Sequence, residues 1–223
     1  MDLTTMPEET LTLRERRHEY GDVYTYLFNS SIPIPYIPGQ YAHVRLFGMA
    51  PEDKAVREFS FASAPHESEI WFGIDARSGS PYQKRLLTMQ PGDTAGIFKI
   101  KSHMSWPPPN VSDTVMIAGG VGVTPFRSQL KDIVYKDRPC TSTLIHVAND
   151  THLYHDELAS LASTYHAISR ADVQSVLEQT VQGHPDAHYY LAGSPGFVEN
   201  TVLVLGELGI TRLESDAFKG LSE

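Results

Sequence analysis

Three consecutive prolines, in Trp106-Pro107-Pro108-Pro109-Asn110, divide the chain into two parts with different patterning. Proline has a fixed φ and no N–H to donate, so this stretch cannot lie in a central strand or a helix interior. It reads as a linker between residues 1–106 and residues 107–223. Upstream, over 11–100, short alternating segments are broken by Gly, Pro, Asn and Asp, the pattern of an antiparallel all-β unit. Its candidate strands are 24–28, 41–46, 58–62, 70–74 and 94–97. One short helix interrupts them: Ser80 as cap and Pro81 at the first helical position open a helix over 82–87, stopped before Pro91-Gly92-Asp93. Downstream the pattern becomes strand 115–118, helix 125–135, strand 142–147, helix 155–164, strand 166–169, helix 172–181, strand 188–192 and helix 196–208. Regular alternation of this kind predicts a parallel sheet with right-handed crossovers.

Composition narrows the partners. Eighteen Lys and Arg against 27 Asp and Glu give a net charge of −9, which argues against nucleic acid. At 41% hydrophobic and 20% charged residues, the chain falls among folded globular proteins rather than disordered or coiled-coil ones. Cys140 is the only cysteine, so these residues cannot build a disulfide, a four-cysteine zinc site or a thiolate-held iron–sulfur cluster. Residues 1–17 are polar and mixed in charge, without a secretory leader pattern. The longest strongly apolar runs, such as 115–123, are about half the ~20 residues that span a bilayer. The expectation is a soluble, cytoplasmic protein with no membrane partner.

Three local features carry chemistry. Ala118-Gly119-Gly120-Val121-Gly122-Val123-Thr124-Pro125 lies between an apolar strand and a helix. Glycines there let the backbone approach a pyrophosphate, and the following helix offers unpaired N–H groups and a positive dipole end. The same residues also suit an ordinary tight turn, and Pro125 stands where the third glycine of G-x-G-x-x-G would fall. Arg57-Glu58-Phe59-Ser60 places Arg57 and Phe59 on one strand face and Glu58 and Ser60 on the other. A planar ligand along the strand edge would meet a phosphate-binding fork, a ring and a hydroxyl together. The alternative is a salt-bridged arginine beside a core phenylalanine. The Ser80-Pro81 helix start, with Lys84 one turn on, outlines an anion site or simply a capped helix.

In order and spacing, the R-x-F-S strand, the capped helix, the G-G-V-G-V-T-P turn and Ala192-Gly193-Ser194-Pro195 resemble the ferredoxin–NADP⁺ reductase superfamily. The resemblance is to small bacterial members without a fused iron–sulfur domain. It runs from Tyr36-Ile37-Pro38-Gly39-Gln40-Tyr41 to Asp216-Ala217-Phe218-Lys219-Gly220. It implies a two-domain fold, an N-terminal six-stranded antiparallel β-barrel carrying a flavin, usually FAD, and a C-terminal α/β Rossmann-like parallel sheet carrying NAD(P)H. It implies a flavin-edge set of Arg57, Glu58, Phe59 and Ser60, in which Arg57 contacts the flavin diphosphate, Phe59 flanks the ring or ribityl chain and Ser60 orients the ring near N5. Ser63 continues that strand, and Ser80 and Pro81 present a helix N-terminus to the flavin phosphates. Gly119, Gly120, Gly122, Thr124 and Pro125 hold the pyridine nucleotide, while Gly193, Ser194 and Pro195 lie near its nicotinamide end.

The implied reaction is hydride transfer from NAD(P)H to FAD, with electrons passed to a separate acceptor: a ferredoxin, flavodoxin, haem protein or small oxidant. Positioning of two rings carries the rate, and no side chain is assigned as general base. Two other readings are an NAD(P)H:free-flavin reductase and a non-catalytic flavin- or nucleotide-binding regulatory module. Ala192 stands where many relatives have cysteine, and Gly220 is followed by Leu221-Ser222-Glu223 rather than a terminal aromatic, which implies an easier approach to the flavin face. Asp150 favours NADH, whereas Ser169-Arg170 resembles a pair that grips the 2′-phosphate of NADPH, so coenzyme choice stays open. His152 and His155 lack a complete metal-ligand set and read as solvated or capping groups. Arg14, Arg16 and Arg17 read as an exposed strand edge, and Cys140 as inert.

Overall fold

The computed structural model describes residues 6–104 and 111–218. The proline linker and residues 219–223 lie outside the described residues, and so does the boundary expected at 106/107. The first lobe is one antiparallel sheet of six strands in the order β4-β3-β6-β1-β2-β5. These are β1 (Glu9–Tyr20), β2 (Val23–Ser30), β3 (Tyr41–Leu46), β4 (Val56–Ser60), β5 (Ile70–Asp75) and β6 (Thr94–Lys101). The sheet curls around a single core that includes Leu11, Tyr26, Phe28, Val44, Phe61, Phe72 and Ile97. Its border strands β4 and β5 face one another, and just past β4 the Ala62 N–H donates to the Trp71 carbonyl at 2.8 Å. The barrel therefore keeps a seam, and α1 (Pro81–Thr88) lies beside it, its Tyr82 hydroxyl donating to the Val44 carbonyl at 3.0 Å.

One sequence expectation changes here. β1 spans twelve residues that were not among the candidate strands, because Arg14–Arg17 breaks the apolar alternation. It pairs with β6 only over Glu9–Thr12, so its second half has β2 alone as ladder partner. The arginine run thus lies along a locally open strand border, where Arg14 pairs with Glu69 and Arg16 bonds the Leu87 carbonyl at the end of α1.

The second lobe is a five-stranded, all-parallel sheet in the order β11-β10-β7-β8-β9. Its strands are β7 (Asp113–Gly119), β8 (Thr141–Val147), β9 (Thr164–Ile168), β10 (His188–Gly193) and β11 (Leu213–Ala217). Helices α2 (Thr124–Tyr135), α3 (His155–Leu161), α4 (Val173–Gly183) and α5 (Pro195–Glu207) link them. Alternate strand residues feed two cores: Met116, Ala118, Leu144 and Tyr190 pack on α2 and α3, while Val115, Ile117, Ile145 and Leu191 pack on α4 and α5. Burial on both faces explains why these strands read as unbroken apolar runs. β11, Leu-Glu-Ser-Asp-Ala, has no such run and was not foreseen as a strand.

Candidate active site

Because β4 is a border strand, side chains from both of its faces reach one cleft. Arg57, Glu58, Phe59 and Ser60 line it together, and its volume of 370 Å³ lies within the usual range for small-molecule sites, about 300–1,000 Å³. β5 supplies Gly73, Ile74 and Asp75 from across the seam, and the N-terminus of α1 supplies Ser80. The second lobe closes the cleft with Val121, Thr124 and the end of β11.

Arg57 is not the salt-bridged arginine of the alternative reading. Its guanidinium lies 5.5 Å from the centre of the Tyr82 ring and donates to the Val56 carbonyl at 3.1 Å; among the described residues no carboxylate pairs with it. Phe59 contacts the rings of Phe72 and Tyr82, each at 5.9 Å. Ser60 is 6% exposed, and among the described residues its hydroxyl has no partner. Glu58 pairs with His43 at 3.2 Å. Ser80 caps α1 by accepting the Gln83 N–H at 3.4 Å, with Pro81 opening the helix as anticipated. Ser63 is different. It is fully buried, and its hydroxyl accepts the Trp71 N–H at 3.0 Å and bonds the Tyr36 hydroxyl at 3.0 Å, so it clasps the barrel seam rather than lining the cleft.

A second cleft of 380 Å³ lies over the C-terminal ends of β7 and β10. Sheet order reverses between these strands, with β8 and β9 on one side and β11 on the other, which is where open α/β sheets bind ligands. Gly119, Gly120, Val121 and Ser194 line it. Gly120 has φ +54 and an added Cβ would meet nothing within 4 Å, so backbone conformation requires glycine there. Gly122 is needed for space, since a Cβ would stand 2.2 Å from the Ala192 carbonyl oxygen. Gly119 and Gly193 flank the Phe197 ring in the same interlocked pair of turns. Thr124 donates to the Val121 carbonyl at 3.0 Å, and Pro125 and Pro195 open α2 and α5. Asp150 and Arg170 line the groove, but the Ser169 hydroxyl is committed, donating to Asp172 at 2.6 Å and accepting the Ala171 N–H. The two clefts share Asp75 and Val121 in their walls, so they meet.

Sequence reasoning named Asp216 and Phe218 as the end of the resemblance but gave the residues that β11 delivers no role. Asp216, 6% exposed, lines the first cleft; burial, opposed by the charge of His103 and aided by that of Glu58, pushes its carboxyl up to about 6. Phe218 also lines the cleft, its N–H bonded to the Gly193 carbonyl at 2.8 Å. Phe218 stands two residues before Gly220, and residues 219–223, on which the expectation of an easier approach rests, lie outside the described residues. His103 and Tyr41 stack at 4.6 Å beside Asp216.

The architecture is a seamed antiparallel barrel set against the switch point of a parallel sheet. Residues 116–202 match the family model for the oxidoreductase NAD-binding domain. A ferredoxin NADP⁺ reductase from Neisseria gonorrhoeae, solved with bound FAD and NADP, superposes with a TM-score of 0.78 at 19% identity, covering 96% of this chain and 98% of that one. An Amycolatopsis cytochrome P450 reductase gives a TM-score of 0.80 at 17% identity, covering 95% of this chain and 70% of that one. A flavohemoprotein of Bordetella pertussis is 22% identical over 214 residues, 82% of this chain and 53% of the relative. The chain spans about half the length of the flavohemoproteins it matches. It has the fold of the ferredoxin–NADP⁺ reductase superfamily, as the sequence resemblance implied.

Proposed function

We propose that this chain is an NAD(P)H-dependent flavoprotein reductase, with FAD along the barrel seam and NAD(P)H over the switch point. One observation carries the reading: the two clefts adjoin along Asp75 and Val121, so ligands lodged in each would meet. The first cleft fits a flavin because it joins a cation without a carboxylate partner among the described residues, a capped helix start and aromatic walls. A flavin bound there supplies hydride acceptance and stepwise electron release.

The protein's residues bind and orient. Arg57 and the N-terminus of α1 neutralise phosphate, Phe59 and Tyr82 wall the ring, and the Ser60 hydroxyl offers it a hydrogen bond. Gly119, Gly120 and the start of α5 at Ser194 would hold the nucleotide's pyrophosphate. The Asp216 carboxyl, half protonated near pH 6, holds a proton at the edge of the cleft. Electrons leave to a ferredoxin, flavodoxin, haem protein or small oxidant. Anaerobic mixing of the FAD-loaded protein with NADH and with NADPH tests the proposal: the visible flavin absorbance bleaches with at least one coenzyme, and no bleaching with either refutes it. Flavin retained through gel filtration separates a bound cofactor from a free-flavin substrate.

A further inference from the structure

His146 lies on β8, outside the lining of both clefts, and the proposed chemistry does not use it. It is fully buried and both ring nitrogens are engaged. Nε2 is 3.0 Å from the Gly120 carbonyl oxygen, and Nδ1 is 3.3 Å from the Tyr165 hydroxyl of β9. A carbonyl only accepts, so Nε2 carries a hydrogen. Burial, against the opposing pull of the Gly120 carbonyl, holds the imidazole pKa down to about 3, so the ring is neutral. In a neutral ring Nδ1 then accepts, and the Tyr165 hydroxyl donates to it. One tautomer satisfies every contact.

This fixes more than a side chain. In a trans peptide the carbonyl oxygen and the next N–H point in opposite directions. With the Gly120 carbonyl held down on His146, the Val121 N–H points away from the imidazole, and Val121 lines both clefts. Gly120, at φ +54, opens a 3-10 turn over Gly120–Val123, so the orientation of its peptide sets the first amide of that turn. Beside it His152, edge-on to His146 at 5.0 Å, donates from Nε2 to the Ile168 carbonyl at 3.2 Å, tying the Asp150 segment to the segment that carries Arg170. His155 continues the cluster 6.2 Å from His152.

We propose that His146 is a positioning residue: its Nε2–H holds the Gly120 carbonyl so that the Val121 N–H is aimed at an acceptor oxygen of the bound dinucleotide. The proposal rests on the nucleotide reading above, and the test separates the two. Binding of NAD⁺ and NADP⁺ to the FAD-loaded protein is measured by calorimetry for wild type, His146→Leu and His146→Gln. The ring tautomer and the amide signals of residues 119–123 are read by nitrogen-15 NMR. The leucine variant should bind coenzyme about tenfold more weakly, a difference of about 1.4 kcal/mol, with FAD binding unchanged. Glutamine, whose Nε2 can donate at similar reach, should restore binding to within about threefold, and the wild-type ring should be the Nε2–H tautomer. An Nδ1–H tautomer, or a leucine variant that binds within twofold of wild type, overturns the proposal. If the leucine variant does not fold, the glutamine variant and the wild-type tautomer decide. A wild-type protein that binds neither coenzyme refutes the nucleotide reading, and the tautomer together with the Val121 amide shift in His146→Gln then judges the histidine alone.

Discussion

Replacing Arg127 by methionine should loosen the union of the two lobes more than any other single change on α2. Its side chain is 1% exposed and all five N–H donors are matched. Nη1 donates to the Ala62 carbonyl at 2.7 Å and to Glu67 at 2.9 Å; Nη2 donates to Glu67 at 3.1 Å and Glu157 at 2.8 Å; Nε donates to Glu157 at 2.7 Å. The guanidinium also lies 4.2 Å from the Trp71 ring centre. Ala62, Glu67 and Trp71 belong to the barrel, Arg127 and Glu157 to the second lobe. Breaking a buried pair costs about 3–5 kcal/mol because its partners stay charged. Lys131, at 3.5 Å from Glu67 and 3.2 Å from Glu157, remains and argues for the low end, about 3 kcal/mol. For a chain of this size that lowers the melting temperature by roughly 6–12 °C. Thermal and urea unfolding of Arg127→Met and of the triple variant with Glu67→Gln and Glu157→Gln are the assays. Neutralising both carboxylates should recover at least half of the loss. Burial alone would raise the Glu67 carboxyl, but hydrogen bonds and charge from Arg127 outweigh it and hold the group below the ordinary glutamate value. Its stabilising contribution is therefore complete above ~4.3 and fades as pH falls below that value, a dependence the methionine variant should lose. A loss under about 1 kcal/mol, or a triple variant no better than the single one, would refute the reasoning.

Gly122→Ala should destabilise by about 1–3 kcal/mol and weaken coenzyme binding, since its Cβ has no room beside the Ala192 carbonyl; Gly206→Ala, in open space on α5, should be neutral or stabilising in the same melts. Asp216→Asn should remove a pH transition near 6 from the flavin-reduction rate, seen by stopped flow. Because that carboxyl is raised, wild-type stability falls as pH climbs from the ordinary aspartate range through about 6, so the asparagine variant should gain relative stability above that point and none below ~3.9. Asp150→Ser should shift the kcat/KM ratio toward NADPH by about fivefold, the removal of roughly 1 kcal/mol of repulsion from a 2′-phosphate; an unchanged ratio would detach Asp150 from coenzyme choice.

How much could be read from the sequence follows from the range of the interactions. Ser80-Pro81 and the β7 to α2 turn are local, governed by caps and φ preferences, and the structure has them where the residues implied. The strand containing Arg57 lies two residues earlier than expected, at Val56–Ser60, because pairing with β3 sets its register. Ser63 looked like a continuation of a binding strand, yet long-range contacts with Tyr36 and Trp71 claim its hydroxyl. Arg127 meets partners 60 and 30 residues away, a link no local pattern encodes. Asp216 gains its chemistry only from burial between lobes, and on an edge strand of mixed polarity it carried no apolar signature.

The last strand of the second lobe supplies one wall of a cleft begun by residues of the first. During synthesis the barrel strands emerge from the ribosome long before Asp216 and Phe218 do, so the cleft is completed late. Until β11 has paired with β10, that wall of the pocket is missing.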